Sequence, residues 1–196
     1  MAAWNIGQLL KTSSGATRCI HSMLNPHHTW PGTGDKILVA PRAHGFMILD
    51  EVPQSRHLWL IATGTGVAPF LSILATDKLW QRHERVVLVY AVRTLSELGY
   101  QERIAQILAN HSGQFSFIPF LSRETSDFTL HGRIPQAIID GRLEARAGMT
   151  INAEDSQIML CGNPHMVKDT RNTLIARGLK KHHRFEPGQI TAESYW

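Results

Sequence analysis

The residues best suited to chemistry in this chain fall in four short, punctuated stretches. Gly64-Thr65-Gly66 follows the apolar run His57–Ala62 directly. A run of that length is too short for a globular helix and, bounded by a glycine turn, suits a buried parallel strand. After the turn, Val67 to Leu74 reads as a helix with Pro69 in its first turn. A strand that feeds a helix through two glycines aims backbone N–H groups above the sheet edge, where a phosphate or pyrophosphate fits. The third glycine of the dinucleotide fingerprint is absent, so a plain tight loop is the competing reading. Arg93 follows a second strand-like run, Arg123 a third, and Arg133 lies in the loop leaving that third run. Three guanidinium groups at one sheet edge can clamp a dianionic phosphate through bidentate bonds, although each taken singly is an ordinary solvated arginine. A carboxylate after the second strand would accept a ribose 2′-hydroxyl; an arginine there suits a 2′-phosphate, hence NADP. The fourth stretch is Cys161-Gly162-Asn163-Pro164.

These stretches need a scaffold, and the rest of the chain predicts one. Strands are expected at Arg85–Ala91, Phe115–Phe120 and Gln157–Cys161, with helices at Leu95–Ala109, Ile134–Ile139 and His165–Ala176, the last ended by Gly178. Alternation of strand and helix implies right-handed crossovers and a parallel sheet covered on both faces. In such sheets ligands bind at the carboxyl ends of the strands, where all four stretches lie. Upstream, Lys36–Ala40 and Gly45–Leu49 are strand-like, and the polar segment Asp50–Arg56 marks a boundary, dividing the chain into residues 1–53 and 54–196. Residues 1–34 show no sustained period and are broken by Gly15, Pro26, Pro31 and Gly32.

Composition narrows the function further. With 196 residues and 43% hydrophobic side chains, the chain can hold one sizeable α/β domain and a small remainder. No apolar run approaches the roughly 20 residues that a membrane helix needs, and two cysteines do not make a disulfide framework, so a cytoplasmic location is expected. The net charge of +4 suits an anionic partner. The basic residues are scattered and form no nucleic-acid module, so neither nucleic acid nor membrane is expected as a partner. His21, His27 and His28 lack a second liganding pair, and no metal is expected.

Several stretches together carry a resemblance. Ala62 to Leu74, Ser122-Arg123-Glu124-Thr125, Gly132-Arg133-Ile134-Pro135, Met159 to Val167 and Pro187 to Trp196 resemble, in this order, the bacterial ferredoxin/flavodoxin–NADP reductases. The similarity runs nearly without gaps from about Gly34, and Met1 to Gln8 is similar to the family's opening. The resemblance implies an NADP-binding α/β domain preceded by a FAD-binding β-barrel. It implies electron transfer between NADPH and ferredoxin or flavodoxin through FAD, by a chain expected to be a monomer. By motif, Arg93, Ser122, Arg123 and Arg133 would hold the adenosine 2′-phosphate, and Gly64, Thr65 and Gly66 would form the turn beside the pyridine nucleotide. Cys161, Gly162 and Asn163 would line the nicotinamide site, with Cys161 and Thr65 nearest the chemistry, and Tyr195 and Trp196 would pack on FAD. One departure stands out. The family's Arg-x-Tyr-Ser strand and Gly-x-x-Ser-type loop, which hold the flavin, have no counterpart here, so the barrel over residues 1–53 is truncated. Two expectations follow: a reductase, or a non-catalytic NADP-binding remnant that does not hold FAD.

Overall fold

Leu58 to Ala62 are fully buried, with neighbours on both faces, which is why the run reads as unbroken apolar sequence rather than as alternation. It forms the centre of the sheet in the computed structural model, which describes residues 47–194. The strands are β1 (His57–Thr63), β2 (Arg85–Val92), β3 (Phe115–Leu121), β4 (Leu130–His131), β5 (Ser156–Gly162) and β6 (Ile190–Ser194), in spatial order β4-β3-β2-β1-β5-β6. Every pairing is parallel. The chain therefore walks outward from β1 to β4, then returns to place β5 on the other side of β1. That reversal leaves a crevice at the carboxyl ends of β1 and β5, the place where open parallel sheets take ligands.

Helices cover both faces, following the period-two alternation of the strands. Leu58, Leu60 and Ala62 share one core with Phe70 of α1 (Val67–Ile73), Leu79 of α2 (Asp77–Arg82) and Ile104 of α3 (Gln101–Asn110). Trp59 and Ile61 share the other with Ile138 of α4 (Ile134–Ile139), Leu143 of α5 (Arg142–Ala147) and Leu174 of α6 (Pro164–Ala176). The parallel α/β architecture expected for this part of the chain is thus the one found. The C-terminal end of α6 is closed by Gly178, whose φ of 88° lets its N–H reach Ile175 O while Leu179 N–H reaches Leu174 O, at 2.9 and 3.2 Å. Leu179 and Leu174 are both buried in the second core, the apolar contact that accompanies such a cap.

Three features differ from the sequence reading, and a fourth, expected, has a reason in the pairing. The expected helix Leu95–Ala109 is a 3₁₀ turn at Leu95–Glu97 followed by α3, because the chain reverses at Gly99-Tyr100, where Tyr100 takes φ 62°. Residues 47–49 of the expected strand Gly45–Leu49 are not a strand; Leu49–Glu51 is a 3₁₀ turn. The short elements α2, α5, β4 and β6 carried no recognised periodic signal, since each presents only one or two apolar residues to the core. Pro119 stands inside β3, tolerated because β4 pairs only with Phe120 and Leu121 and leaves that stretch of β3 as an edge. The strand Lys36–Ala40, the residue 1–46 part of the truncated barrel, Tyr195 and Trp196 lie outside the described residues.

The segment ahead of β1 is tied to the α/β unit rather than hanging from it. Met47, Leu49 and Val52 are buried in the first core. Arg82, at the end of α2, donates from Nη1 to Leu49 O at 2.8 Å and from Nη2 to Val52 O at 2.7 Å, and Lys78 pairs with Asp50. His83 Nδ1 lies 2.9 Å from Ser55 O, and a carbonyl only accepts, so that nitrogen carries the proton. Its Nε2 is buried with no partner among the described residues. Burial holds the His83 imidazole below the ordinary histidine pKa of 6.5, helped by the neighbouring Arg82 charge and opposed by the Ser55 carbonyl. The unfolded chain takes a proton near that ordinary value while the folded chain resists it, so the unfolded state binds more protons in the window below it. Stability is therefore expected to be full above about pH 6.5 and to fall as the pH drops through and below that value. Urea midpoints from about pH 7.5 to about pH 5 check this; in His83→Gln the slope across that window flattens.

Candidate nucleotide-binding cleft

The site is built where β1 and β5 end. Gly66 packs directly against β5: a Cβ on it would stand 2.5 Å from Cys161 O and 2.7 Å from Gly162 Cα. Gly162, at φ 130°, packs back against β1: a Cβ there would meet Thr63 Oγ1 at 2.3 Å and Thr63 O at 2.6 Å. Thr63 Oγ1 in turn accepts the Asn163 N–H at 2.9 Å. The two loops are locked together, and Gly64 is left at the lip with φ 52° and open space where a Cβ would be.

Above this seam lies a cleft of about 840 Å³, within the range of small-molecule and cofactor sites. Gly64, Arg93, Ser122, Arg133 and Asn163 line it, so five of the residues singled out from sequence meet in one place. Their positions follow from the backbone. Ser122 N–H bonds Val92 O and Arg123 N–H bonds Arg93 O, at 3.1 and 2.9 Å, extending the β2–β3 pairing beyond the strands and bringing the two loops side by side. Gly132, at φ 102°, donates to Leu121 O and turns the chain so that Arg133 becomes the N-cap of α4.

Other expected site residues sit elsewhere. Arg123 is exposed at the end of β3 and does not line the cleft. Thr65 is exposed on the glycine turn, outside the lining, and Gly66 is buried as a packing element. Cys161 is fully buried, its side chain in the core shared with α1–α3, so it packs beneath the turn instead of facing the cleft. The Asn163 side chain is committed to capping α6: Oδ1 accepts the N–H of His165 at 2.9 Å and of Met166 at 3.4 Å. Pro164 has no N–H and Val167 donates to Asn163 O, so the first turn of α6 is satisfied internally and offers an anion only its dipole.

The electrostatics of the cleft centre on Arg93. Its Nη2 lies 2.7 Å from Glu97 Oε1, its Nε 3.2 Å from Glu97 Oε2, and its backbone N–H also reaches Oε2, at 3.1 Å. Burial pushes the Glu97 carboxyl up, but hydrogen bonds and charge from Arg93, with a contribution from Arg123, bring it below the ordinary glutamate value. Arg133 has no ion pair among the described residues. Sequence reasoning missed Glu97, Thr63, Met166 and Asp169, all of which line the cleft. Their signal was proximity in space: Glu97 lies one turn beyond Arg93, but only the 3₁₀ turn aims it back.

Comparison with known proteins agrees with the parallel α/β fold. The family model for the oxidoreductase NAD-binding domain matches residues 60–172. The flavodoxin/ferredoxin–NADP reductase of Escherichia coli (strain K12) is 43% identical over 164 residues, covering 83% of this chain and 66% of that protein. Its counterpart in Buchnera aphidicola subsp. Schizaphis graminum is 40% identical over 165 residues, covering 84% and 64%. Among solved structures, a ferredoxin NADP+ reductase from Neisseria gonorrhoeae with bound FAD and NADP superposes with a TM-score of 0.74 and 35% identity, covering 79% of this chain and 62% of that one. The chain thus spans just under two thirds of the length of these relatives.

The seam makes a direct prediction. Gly66→Ala is expected to cost about 1–3 kcal/mol of stability through overpacking alone. Gly162→Ala should cost more, because it adds a positive φ to the clash with Thr63. Gly113→Ala, with φ 85° and nothing within 4 Å, isolates the backbone contribution. Urea midpoints of the three variants should rank Gly162→Ala lowest and Gly113→Ala highest.

Proposed function

The chain belongs to the family of oxidoreductase NAD-binding domains, and from that premise we propose that it binds NADP(H) in the cleft above β1 and β5. We place it as the nucleotide-binding part of a flavoprotein reductase that moves electrons between NADPH and ferredoxin or flavodoxin. The observation that carries the nucleotide reading is the meeting of Arg93, Ser122 and Arg133 with the open Gly64 turn in one cleft. The residues present suit the nucleotide: two guanidinium groups and a hydroxyl form a donor set for a 2′-phosphate, and Gly64 leaves room for backbone to approach a pyrophosphate. When bound, the nicotinamide supplies a hydride. The chain's own groups bind and orient. Arg93, Ser122 and Arg133 would hold the adenosine end, and the Gly64–Gly66 turn and Gly162 would shape the other. Cys161 supports that surface from below as a packing residue, with no nucleophilic part to play.

For FAD, the described residues contribute little. Of the contacts assigned by motif, Thr65 is exposed on the turn, while Tyr195 and Trp196 lie outside the described residues. The absence of the Arg-x-Tyr-Ser and Gly-x-x-Ser motifs supports a second reading, an NADP-binding unit that does not retain FAD. A soluble partner carrier, monomeric state and cytoplasmic location go with the first reading; among the described residues no helix is long and apolar enough to cross a membrane.

Two measurements test these readings. A hydrogen bond to a charged group is worth about 1.5–3 kcal/mol, so Arg133→Ala should weaken NADP+ binding roughly 10- to 100-fold and leave NAD+ binding nearly unchanged. Arg123→Ala, outside the cleft, should have a much smaller effect; equal losses for both nucleotides in Arg133→Ala would place the phosphate elsewhere. The second is FAD retention after gel filtration of the chain mixed with excess cofactor. Yellow, stoichiometric protein with NADPH-dependent ferricyanide reduction supports the reductase, and colourless protein that still binds NADP+ supports the nucleotide-binding unit.

A further inference from the structure

Glu97 is a carboxylate in the loop after the second strand of a nucleotide-type sheet, and it lines the same cleft as Arg93 and Arg133. That is the position from which an acidic side chain accepts a ribose 2′-hydroxyl. The cleft thus holds both kinds of selectivity group at once, bound to each other. On the reading that this cleft takes an adenine dinucleotide, we infer that Glu97 is a specificity-determining residue. It accepts the 2′-hydroxyl of NAD(H), so the cleft takes both nucleotides, and it competes with the 2′-phosphate of NADP(H) for Arg93.

The hydrogen-bond inventory supports the first half. An ionised carboxylate has about four acceptor sites on its two oxygens. Three are used in this structure, by Arg93 Nη2, Nε and backbone N–H. One more donor, a ribose hydroxyl, can be added without breaking the Arg93 contacts. Glu97 is also fixed in place, because its bond to the Arg93 backbone N–H closes a local ring within the loop. The hydroxyl would meet a preorganised acceptor.

Charge supports the second half. A 2′-phosphate carries close to two negative charges at neutral pH, and beside an ionised carboxylate it is repelled. It is accommodated when the Arg93 guanidinium turns from Glu97 to the phosphate. The pair is half-exposed, at 62% for the Arg93 side chain and 36% for Glu97, so the guanidinium has room to move. Arg133, with no acidic partner among the described residues, is the cation that the phosphate need not win from a carboxylate. Arg93 is thus a shared ligand, and Glu97 is what it is shared with.

Glu97→Gln is the informative variant, since the amide oxygen still accepts the Arg93 backbone N–H and keeps the loop, while the negative charge goes. Dissociation constants of NADP+ and NAD+, and of 2′-phospho-AMP and AMP as the adenosine halves, would be measured on the full chain by calorimetry. NADP+ and 2′-phospho-AMP are expected to bind about 3- to 10-fold more tightly, and NAD+ and AMP about 5- to 20-fold more weakly, a change in selectivity of at least about 15-fold. In an Arg93→Ala background the loss for NAD+ should persist, because the ribose hydroxyl bonds Glu97 and not Arg93. A selectivity ratio that does not move, while the unaltered chain binds NADP+, overturns the role of Glu97 and leaves the cleft reading intact. An unaltered chain that binds neither nucleotide overturns both.

Discussion

Everything at the functional edge of this molecule depends on the close approach of two backbones, where β1 and β5 end. Gly66 lies against the Cys161–Gly162 backbone and Gly162 lies against Thr63, each at a separation that leaves no space for a Cβ. Parallel strands at a switch point diverge into loops that leave in opposite directions, toward α1 on one face and α6 on the other. Without the mutual contact, those loops would be free to splay. With it, the glycine turn, the Asn163 cap and the start of α6 form one surface, and the cleft has a floor.

That floor explains the division of labour around it. Cys161 fills the core directly below the turn, so its contribution to the site is shape. Asn163 spends its side chain on α6 and its N–H on Thr63. The first turn of α6 is left with no unpaired N–H for an anion, so on the proposed nucleotide reading a phosphate would be held by side chains. The candidates are Arg93, Ser122 and Arg133, brought together by the extended pairing of β2 with β3 and by the turn at Gly132. Of the two arginines, Arg93 is tied to a carboxylate and Arg133 has no ion pair among the described residues, so the two ends of the cationic lining differ.

At the opposite edge of the sheet the segment ahead of β1 is held by Arg82, Lys78 and His83. Three buried apolar residues, Met47, Leu49 and Val52, anchor it to the core shared with α1–α3. The lead into β1 is thereby part of the α/β unit, and its attachment includes an imidazole whose pKa burial lowers. The cleft and this strap share the α1–α3 core, so the position of what precedes β1 is referenced to the same helices that back the glycine turn.

Local sequence was sufficient for the scaffold. Apolar runs buried on both faces, such as Leu58–Ala62 and Val86–Val89, announce central parallel strands because every residue in them meets a helix. Gly64, Gly178 and Pro135 mark turns and helix ends because their backbone requirements are local. The gathering of Arg93, Ser122 and Arg133 was legible too, since parallel topology sends successive strand ends to one edge. Packing alone decided the rest. Arg123 and Arg93 both follow strands, yet only Arg93 turns into the cleft, because the 3₁₀ turn at Leu95–Glu97 supplies a carboxylate to hold it. Cys161 reads as a site residue from its motif, but period-two alternation within β5 puts it on the face that α1–α3 cover. The glycines of the seam are required by backbone more than 90 residues away in sequence, Cys161 against Gly66 and Thr63 against Gly162, and no local pattern carries a contact of that separation.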